Sequence, residues 1–225
     1  MKGSAWRSGL VFGFLITTSS GFLVNTFALA AEHEPRIVVS LYNYARVSGE
    51  TLTRAEAVAT RIFARAGIQI AWEENRARDT VSQVVAHPGA VRTDVRLTMH
   101  IISRSMALRL EPTQTCLGMA VVPGARARAD MAYVFFYRVE ELARTRSLCA
   151  TDGLGHAMAH EIGHLLLGVQ SHSPMGLMRV CWDRTDLVQA ATGWLIFSDQ
   201  EADRIRAEIR ARTGSTSTAR ADAHP

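Results

Sequence analysis

The stretch from His160 to His172, which reads HEIGHLLLGVQSH, constrains this chain more than any other. On an α-helix, residues four positions apart lie on nearly the same face, so His160 and His164 can direct an imidazole nitrogen at one metal ion. Glu161 follows His160 directly, which places its carboxylate beside the ion, where it can accept a proton from water. The stretch therefore predicts a helix that carries both a zinc site and a general base.

The third metal ligand is expected from the residues that follow this helix. Gly168 predicts the helix end, because glycine adopts the conformations that commonly terminate helices at little steric cost. The four-residue step from Gly168 to His172 spans at most roughly 14 Å, which is enough to return the chain to the metal. Three histidines leave a fourth position for water, as in catalytic zinc sites. We therefore expect one Zn²⁺ per chain, held by His160, His164 and His172.

Two other residues are alternatives to His172. His156 lies one helical turn before His160, but three ligands spaced four apart on one straight helix converge poorly, so a polar supporting role fits it better. Glu201, in a later predicted helix, would be the third ligand in a gluzincin-like arrangement. His172 is nearer to the motif and better suited than either.

The motif HEIGHLLLG, followed by HSPMGLM, resembles the metzincin superfamily of zinc metallopeptidases, and within it the matrixin branch. The metzincin pattern is HExxHxxGxxH, followed by a methionine-containing turn under the metal. The resemblance implies that Met178 is the Met-turn methionine. This chain departs from the pattern, because Gly168 follows His164 by four residues and His172 follows Gly168 by four, where the family has three and three.

Hydrophobic periodicity predicts an α+β fold. Arg36 to Asn43 alternates as a strand, and Thr53 with Glu56 forms a capping box ahead of an amphipathic helix that ends near Ala66. Further strands are expected at 68–72, 95–101, 117–122 and 131–137, with further helices at 139–144, 153–167 (N-cap at Thr151-Asp152), 183–191 and 198–212. This order matches the layout that the metzincin resemblance implies: a twisted mixed β-sheet, a backing helix, the active-site helix and a C-terminal helix. By the same resemblance, the cleft-edge strand that binds an extended peptide would contain Leu117, Gly118, Met119 and Ala120.

The N-terminal segment, residues 1–30, predicts an export signal. Its first residues are positively charged, residues 9–30 are largely apolar, and Ala28-Leu29-Ala30 is a signal-peptidase cleavage pattern. We expect an exported protein, periplasmic or secreted, with a zincin-like domain over 31–212 and a disordered polar tail over 213–225. Anchoring of an uncleaved segment 9–30 in the membrane is the alternative.

Charge and cysteine content limit the other partners. The net charge is +4, but the basic residues are scattered among acidic ones, so the sequence has no nucleic-acid-binding signature. A stable membrane partner is expected only if the signal segment stays uncleaved. Cys116, Cys149 and Cys181 allow at most one internal disulfide. Sequence does not choose among the pairings, although Cys149 and Cys181 flank the zinc helix and the Met-turn and would clamp the site.

These observations predict an exported zinc metallopeptidase that hydrolyses peptide or protein substrates. A non-catalytic, zinc-stabilised binding module is the first alternative, and the presence of Glu161 argues against it. A zinc amide hydrolase that acts on cell-wall or small-molecule substrates is the second, because HExxH chemistry does not separate peptides from other amides. Cleavage specificity and oligomeric state stay open at this point.

Overall fold

Five strands form one sheet: β1 Arg36–Asn43, β2 Gln69–Asn75, β3 Val95–Ile102, β4 Gly118–Val121 and β5 Met131–Phe135. The computed structural model describes residues 34–75, 94–110, 116–122, 129–146 and 148–221. The strand order is β2-β1-β3-β5-β4, with β4 antiparallel to β5 and the other pairs parallel. The sheet is therefore mixed, and β4 lies at one of its edges.

Six α-helices accompany the sheet in the described ranges: α1 Gly49–Arg65, α2 Arg104–Ala107, α3 Phe136–Arg146, α4 Ala150–Leu167, α5 Arg184–Thr192 and α6 Asp199–Ala221. A 3₁₀ turn, Leu108–Leu110, follows α2. The predicted α+β class, with a backing helix (α1), a helix that carries the HExxH motif (α4) and a C-terminal helix (α6), is confirmed. Within the described residues, no helix is both long and apolar enough to span a bilayer.

The core lies between the sheet and the paired helices α1 and α4. Alternation puts one set of strand side chains on this face: Ile37, Val39, Leu41, Leu97, Met99 and Ile101 are all buried. Gly155 allows the two helices to approach closely, since a Cβ there would lie 2.5 Å from Val58 Cβ and 2.6 Å from the Ala55 carbonyl oxygen. Helix α4 is therefore held rigidly, which fixes the direction of its histidines.

Helix α1 begins earlier than the sequence predicted. Ser48 is its N-cap and accepts a hydrogen bond from the Thr51 backbone N–H at 3.2 Å, so the predicted capping box at Thr53 and Glu56 is wrong. Burial explains the difference, because Leu52 is 3% exposed and extends the apolar face by a further turn.

Several other boundaries also differ. The chain turns into α3 at Phe136, so the predicted strand 131–137 ends at Phe135, because an apolar run alone does not mark where a strand stops. Cys149, not Thr151-Asp152, is the N-cap position of α4. Helix α6 opens with the predicted Ser198 and Glu201 capping box but continues to Ala221 rather than ending near Arg212. Residues 222–225 of the predicted tail, the predicted signal segment 1–30 and most of the predicted loop 75–94 lie outside the described residues.

Glu56 on α1 should make stability depend on pH. Burial, with a contribution from the charge of Glu74, raises the pKa of the Glu56 carboxyl from 4.5 to about 7. Between those two values the folded chain holds a proton that the unfolded chain has lost, so the free energy of unfolding should fall as pH rises through this window. We expect Glu56→Gln to raise that free energy by on the order of 1 kcal/mol at pH 8, allowing for solvent screening, and to leave it nearly unchanged at pH 4. Urea unfolding at both pH values measures this, and an equal effect at both would contradict it.

Candidate metal centre

Helix α4 places His160 and His164 on one face and ends where the chain must turn back. Gly168 follows the last helical residue and has a φ of 104°, a backbone conformation that residues with a side chain rarely adopt. The Gly168 N–H still donates to the His164 carbonyl at 3.0 Å, which closes the last turn. The helix therefore ends at the predicted position, and the chain continues from there toward His172.

The structure brings His160, His164 and His172 together. One ring nitrogen from each lies within 4.8 Å of the other two, and the Nε2 atoms of His160 and His164 are 3.0 Å apart. Two nitrogens that share a tetrahedral zinc at about 2.0–2.1 Å would lie only slightly farther apart, at about 3.3 Å. This cluster therefore has the size of a three-nitrogen metal site.

A hydrogen bond fixes the tautomer of His160 in the form that a metal requires. The Nδ1–H of His160 donates to the Leu177 carbonyl at 2.7 Å, so its Nε2 carries a lone pair. Nδ1 of His164 has weaker partners, the Gly168 carbonyl and Ser171 Oγ, both at 3.4 Å. Outer partners of this kind orient metal-ligating histidines in known sites.

Burial also keeps the three imidazoles neutral. It lowers the pKa of His160 to about 4 and that of His164 to about 3, and it lowers the pKa of the more exposed His172 as well. A neutral imidazole is the form that binds a metal, so this cluster needs little deprotonation to do so at pH 7. The donor set, its spacing and its protonation all fit zinc.

Glu161 is buried beside the cluster and has an unused oxygen. Its side chain is 3% exposed, and its Oε2 has no hydrogen-bond partner among the described residues. Burial raises the pKa of the carboxyl to about 8, and a divalent cation nearby would lower that pKa again by direct attraction. A carboxylate of this kind is suited to exchange a proton with a group in the adjacent cleft.

A glycine in the edge strand makes room for this carboxylate. A Cβ at Gly118 would lie 2.6 Å from both Cγ and Oε1 of Glu161, and it would also collide with the Tyr133 carbonyl oxygen. Real Cβ contacts of that length are essentially never seen, so any other residue would move either β4 or Glu161. Sequence reasoning placed Gly118 in the cleft edge but missed this contact, although a glycine inside a strand is itself a signal of close approach.

Gly118→Ala should therefore displace Glu161 without removing the metal ligands. If Glu161 transfers a proton for a substrate in this cleft, kcat/KM should fall by about 10²-fold, because a shift of about 1 Å in a catalytic group can cost that much. Stability should drop by about 1–3 kcal/mol from overpacking, while the zinc content stays unchanged. Gly49→Ala is the matched control, since a Cβ there meets nothing within 4 Å. Wild-type kcat/KM in Gly118→Ala would show that the position of Glu161 does not depend on this strand.

The cleft in front of the histidines has a volume of about 560 Å³. The four residues predicted for its edge, Leu117, Gly118, Met119 and Ala120, all line it, together with His160, Glu161, His164 and His172. Among the described residues, β4 pairs with β5 on one side only, and its other edge has no partner strand there. In this part of the chain an unpaired strand edge thus lines the same cleft as the candidate metal centre.

Met178 lies beneath the helix that carries the histidines. Its side chain is fully buried, and a Cβ at Gly163 would lie 2.6 Å from its Sδ atom. Gly163 stands between Glu161 and His164 in the motif, so the sulfur packs against the backbone that positions them. Met178 therefore packs against α4, and its role as a Met-turn residue stays a prediction.

The alternative ligands lie outside the cluster. His156 is buried, its Nδ1–H donates to the Asp152 carbonyl at 2.7 Å, and its Nε2 has no hydrogen-bond partner among the described residues. Glu201 accepts hydrogen bonds from Ser173 Oγ at 2.5 Å and from the Ser198 backbone N–H at 2.8 Å. Neither joins the single group of three or more potential ligand side chains found in the described ranges.

The disulfide between Cys149 and Cys181 is not formed, and both residues are exposed thiols. Cys181 lines the cleft next to Trp182, whose ring contacts His156. The predicted clamp around the site is therefore wrong in this structure.

No protein-family model matches the chain, and no curated protein matches it. Among solved structures, the chain is similar to archaemetzincin from Methanopyrus kandleri, with 12% sequence identity and a TM-score of 0.45, over 78% of this chain and 97% of that one. The function of this chain therefore has to be inferred from the residues of its own site.

Proposed function

We propose that this chain is an exported zinc-dependent peptidase, in which His160, His164 and His172 hold the metal and Glu161 is the general base. The observation that carries the proposal is the joint placement of a buried, unpartnered carboxylate and three neutral imidazoles at the floor of one cleft. When bound, zinc would supply Lewis-acid chemistry that polarises a carbonyl and acidifies water.

Glu161 would move the proton. Its carboxylate faces the cleft beside the histidines, so it can accept a proton from a water molecule that attacks a scissile carbonyl. The same carboxyl can then donate that proton to the departing amine, which otherwise leaves poorly. Because burial raises the pKa of this carboxyl, it accepts the first proton more readily than an exposed glutamate would.

The edge strand β4 would bind and orient the substrate. An extended peptide can add as a further strand to the unpaired edge, through main-chain hydrogen bonds that do not depend on its sequence. Strand addition beside His160 and Glu161 would bring one peptide bond to the metal. This arrangement favours a peptide over a compact small-molecule amide.

The proposal is tested by metal analysis together with a peptide library. We expect about one zinc per chain in the purified protein, cleavage of peptides detected by mass spectrometry, loss of cleavage after chelation, and recovery when zinc is restored. Zinc binding with no cleaved peptide bond would instead indicate a zinc-stabilised binding module. Absence of bound zinc would contradict the assignment of the three histidines.

A further inference from the structure

The Leu177 carbonyl accepts hydrogen bonds from two side chains. One donor is the Nδ1–H of His160, at 2.7 Å, and the other is the indole Nε1–H of Trp182, at 3.2 Å. A carbonyl oxygen has two lone pairs, so the two donors use its full capacity. Trp182 therefore shares its acceptor with a candidate metal ligand.

The Leu177 residue that carries this carbonyl is itself buried and hydrogen-bonded. Leu177 is fully buried, and its own N–H donates to the Ile196 carbonyl at 3.1 Å, which fixes one end of the residue. The half-buried indole of Trp182 packs edge to face against His160, with ring centroids 6.0 Å apart and an interplanar angle of 84°. The indole thus restricts the orientation of the His160 ring in two ways, by direct contact between the rings and by sharing the Leu177 carbonyl oxygen.

The geometry points to Trp182 as a positioning residue for the metal centre, acting through the Leu177 carbonyl on His160. This inference rests on the proposed function, since it assumes that His160 binds zinc. Without the indole N–H, the carbonyl loses one of two hydrogen bonds that fix its direction, and the His160 ring loses part of its alignment. The direct partners of metal-ligating histidines contribute to metal affinity, and Trp182 would act on one such partner, the Leu177 carbonyl.

Trp182→Phe tests the inference, because phenylalanine keeps an aromatic ring but has no N–H. We expect the zinc dissociation constant, measured by competition with a chromophoric chelator, to rise up to about 10-fold, the low end of the range for a direct partner of a ligating histidine. The visible spectrum of the Co²⁺-substituted variant should also change, because that spectrum reports the geometry of the ligand field. Neither measurement depends on catalytic activity.

Trp72→Phe is the matched control. The indole N–H of Trp72 donates to Thr60 Oγ1 at 3.0 Å, also from a half-buried position, but Trp72 does not line the cleft. The control should lower the melting temperature of the metal-free protein about as much as Trp182→Phe does, and it should bind zinc like the wild type. Wild-type zinc affinity in Trp182→Phe, or an equal loss in both variants, would overturn the inference. If the wild-type protein bound no zinc, the proposed function would be wrong, and this inference would fall with it. That outcome differs from a result in which the wild type binds zinc and the variants do not differ from each other.

Discussion

Glu161→Gln should abolish most hydrolysis while the metal stays bound. Glutamine has nearly the shape of glutamate but cannot accept a proton from water, so we expect kcat/KM to fall by about 10²–10⁴-fold, the usual contribution of a general acid–base group. The three converging nitrogens belong to histidines, so zinc content should not change. Peptide cleavage rates and elemental analysis of the same preparation measure both quantities.

The control for this variant is Glu56→Gln, which makes the same chemical change at a half-buried carboxyl on α1, away from the cleft. It should leave kcat/KM at the wild-type value. If Glu161→Gln were as active as the wild type, another group would have to move the proton. If it lost zinc, Glu161 would instead take part in holding the metal. Folding of the variant is expected to survive, because the amide replaces a carboxyl whose burial already disfavours its charged form.

The secondary structure could be predicted wherever burial produces a clean period. Arg36–Asn43 is a strand with the predicted ends, and Arg96, Thr98 and His100 form the more solvent-exposed face of β3 that alternation indicated. Helix starts were harder to predict, because several residues near a start can cap it. Ser48 and Thr53 are both capable caps, and the choice depends on the burial of Leu52, which is a tertiary effect.

The candidate site, too, could be predicted from the sequence only in part. The spacing of His160, Glu161 and His164 is a property of one helix, so sequence alone could place them together. The contact between Gly118 and Glu161, and the two hydrogen bonds to the Leu177 carbonyl, join segments that are distant along the chain. No local period encodes such contacts, and a backbone carbonyl leaves no trace in the identity of its residue. They could be found only from the fold.

His172→Ala is expected to have the largest effect on metal binding. Loss of an outer partner of a ligand costs about 10–100-fold in metal affinity, so removal of one of three direct ligands should raise the zinc dissociation constant by more than about 100-fold. His172 lies in the loop after Gly168 and is exposed, so the metal-free protein should lose at most about 0.5 kcal/mol of stability. Competition with a chelator and urea unfolding of the metal-free protein separate the two effects.

His100→Ala is the matched control for His172→Ala. His100 is a half-buried histidine on β3 that stacks against Tyr42 with ring centroids 4.9 Å apart, and it does not line the cleft. It should bind zinc like the wild type. Retention of zinc in His172→Ala would move the third ligand to His156 or Glu201. Glu201 would first have to leave its hydrogen bonds to Ser173 and Ser198. His156 already has an Nε2 without a hydrogen-bond partner among the described residues, but this nitrogen would have to move into the cluster. That result would therefore also require a rearrangement of α4 or of the start of α6. Unfolding measurements with and without zinc would detect it as a change in how much zinc raises the free energy of unfolding.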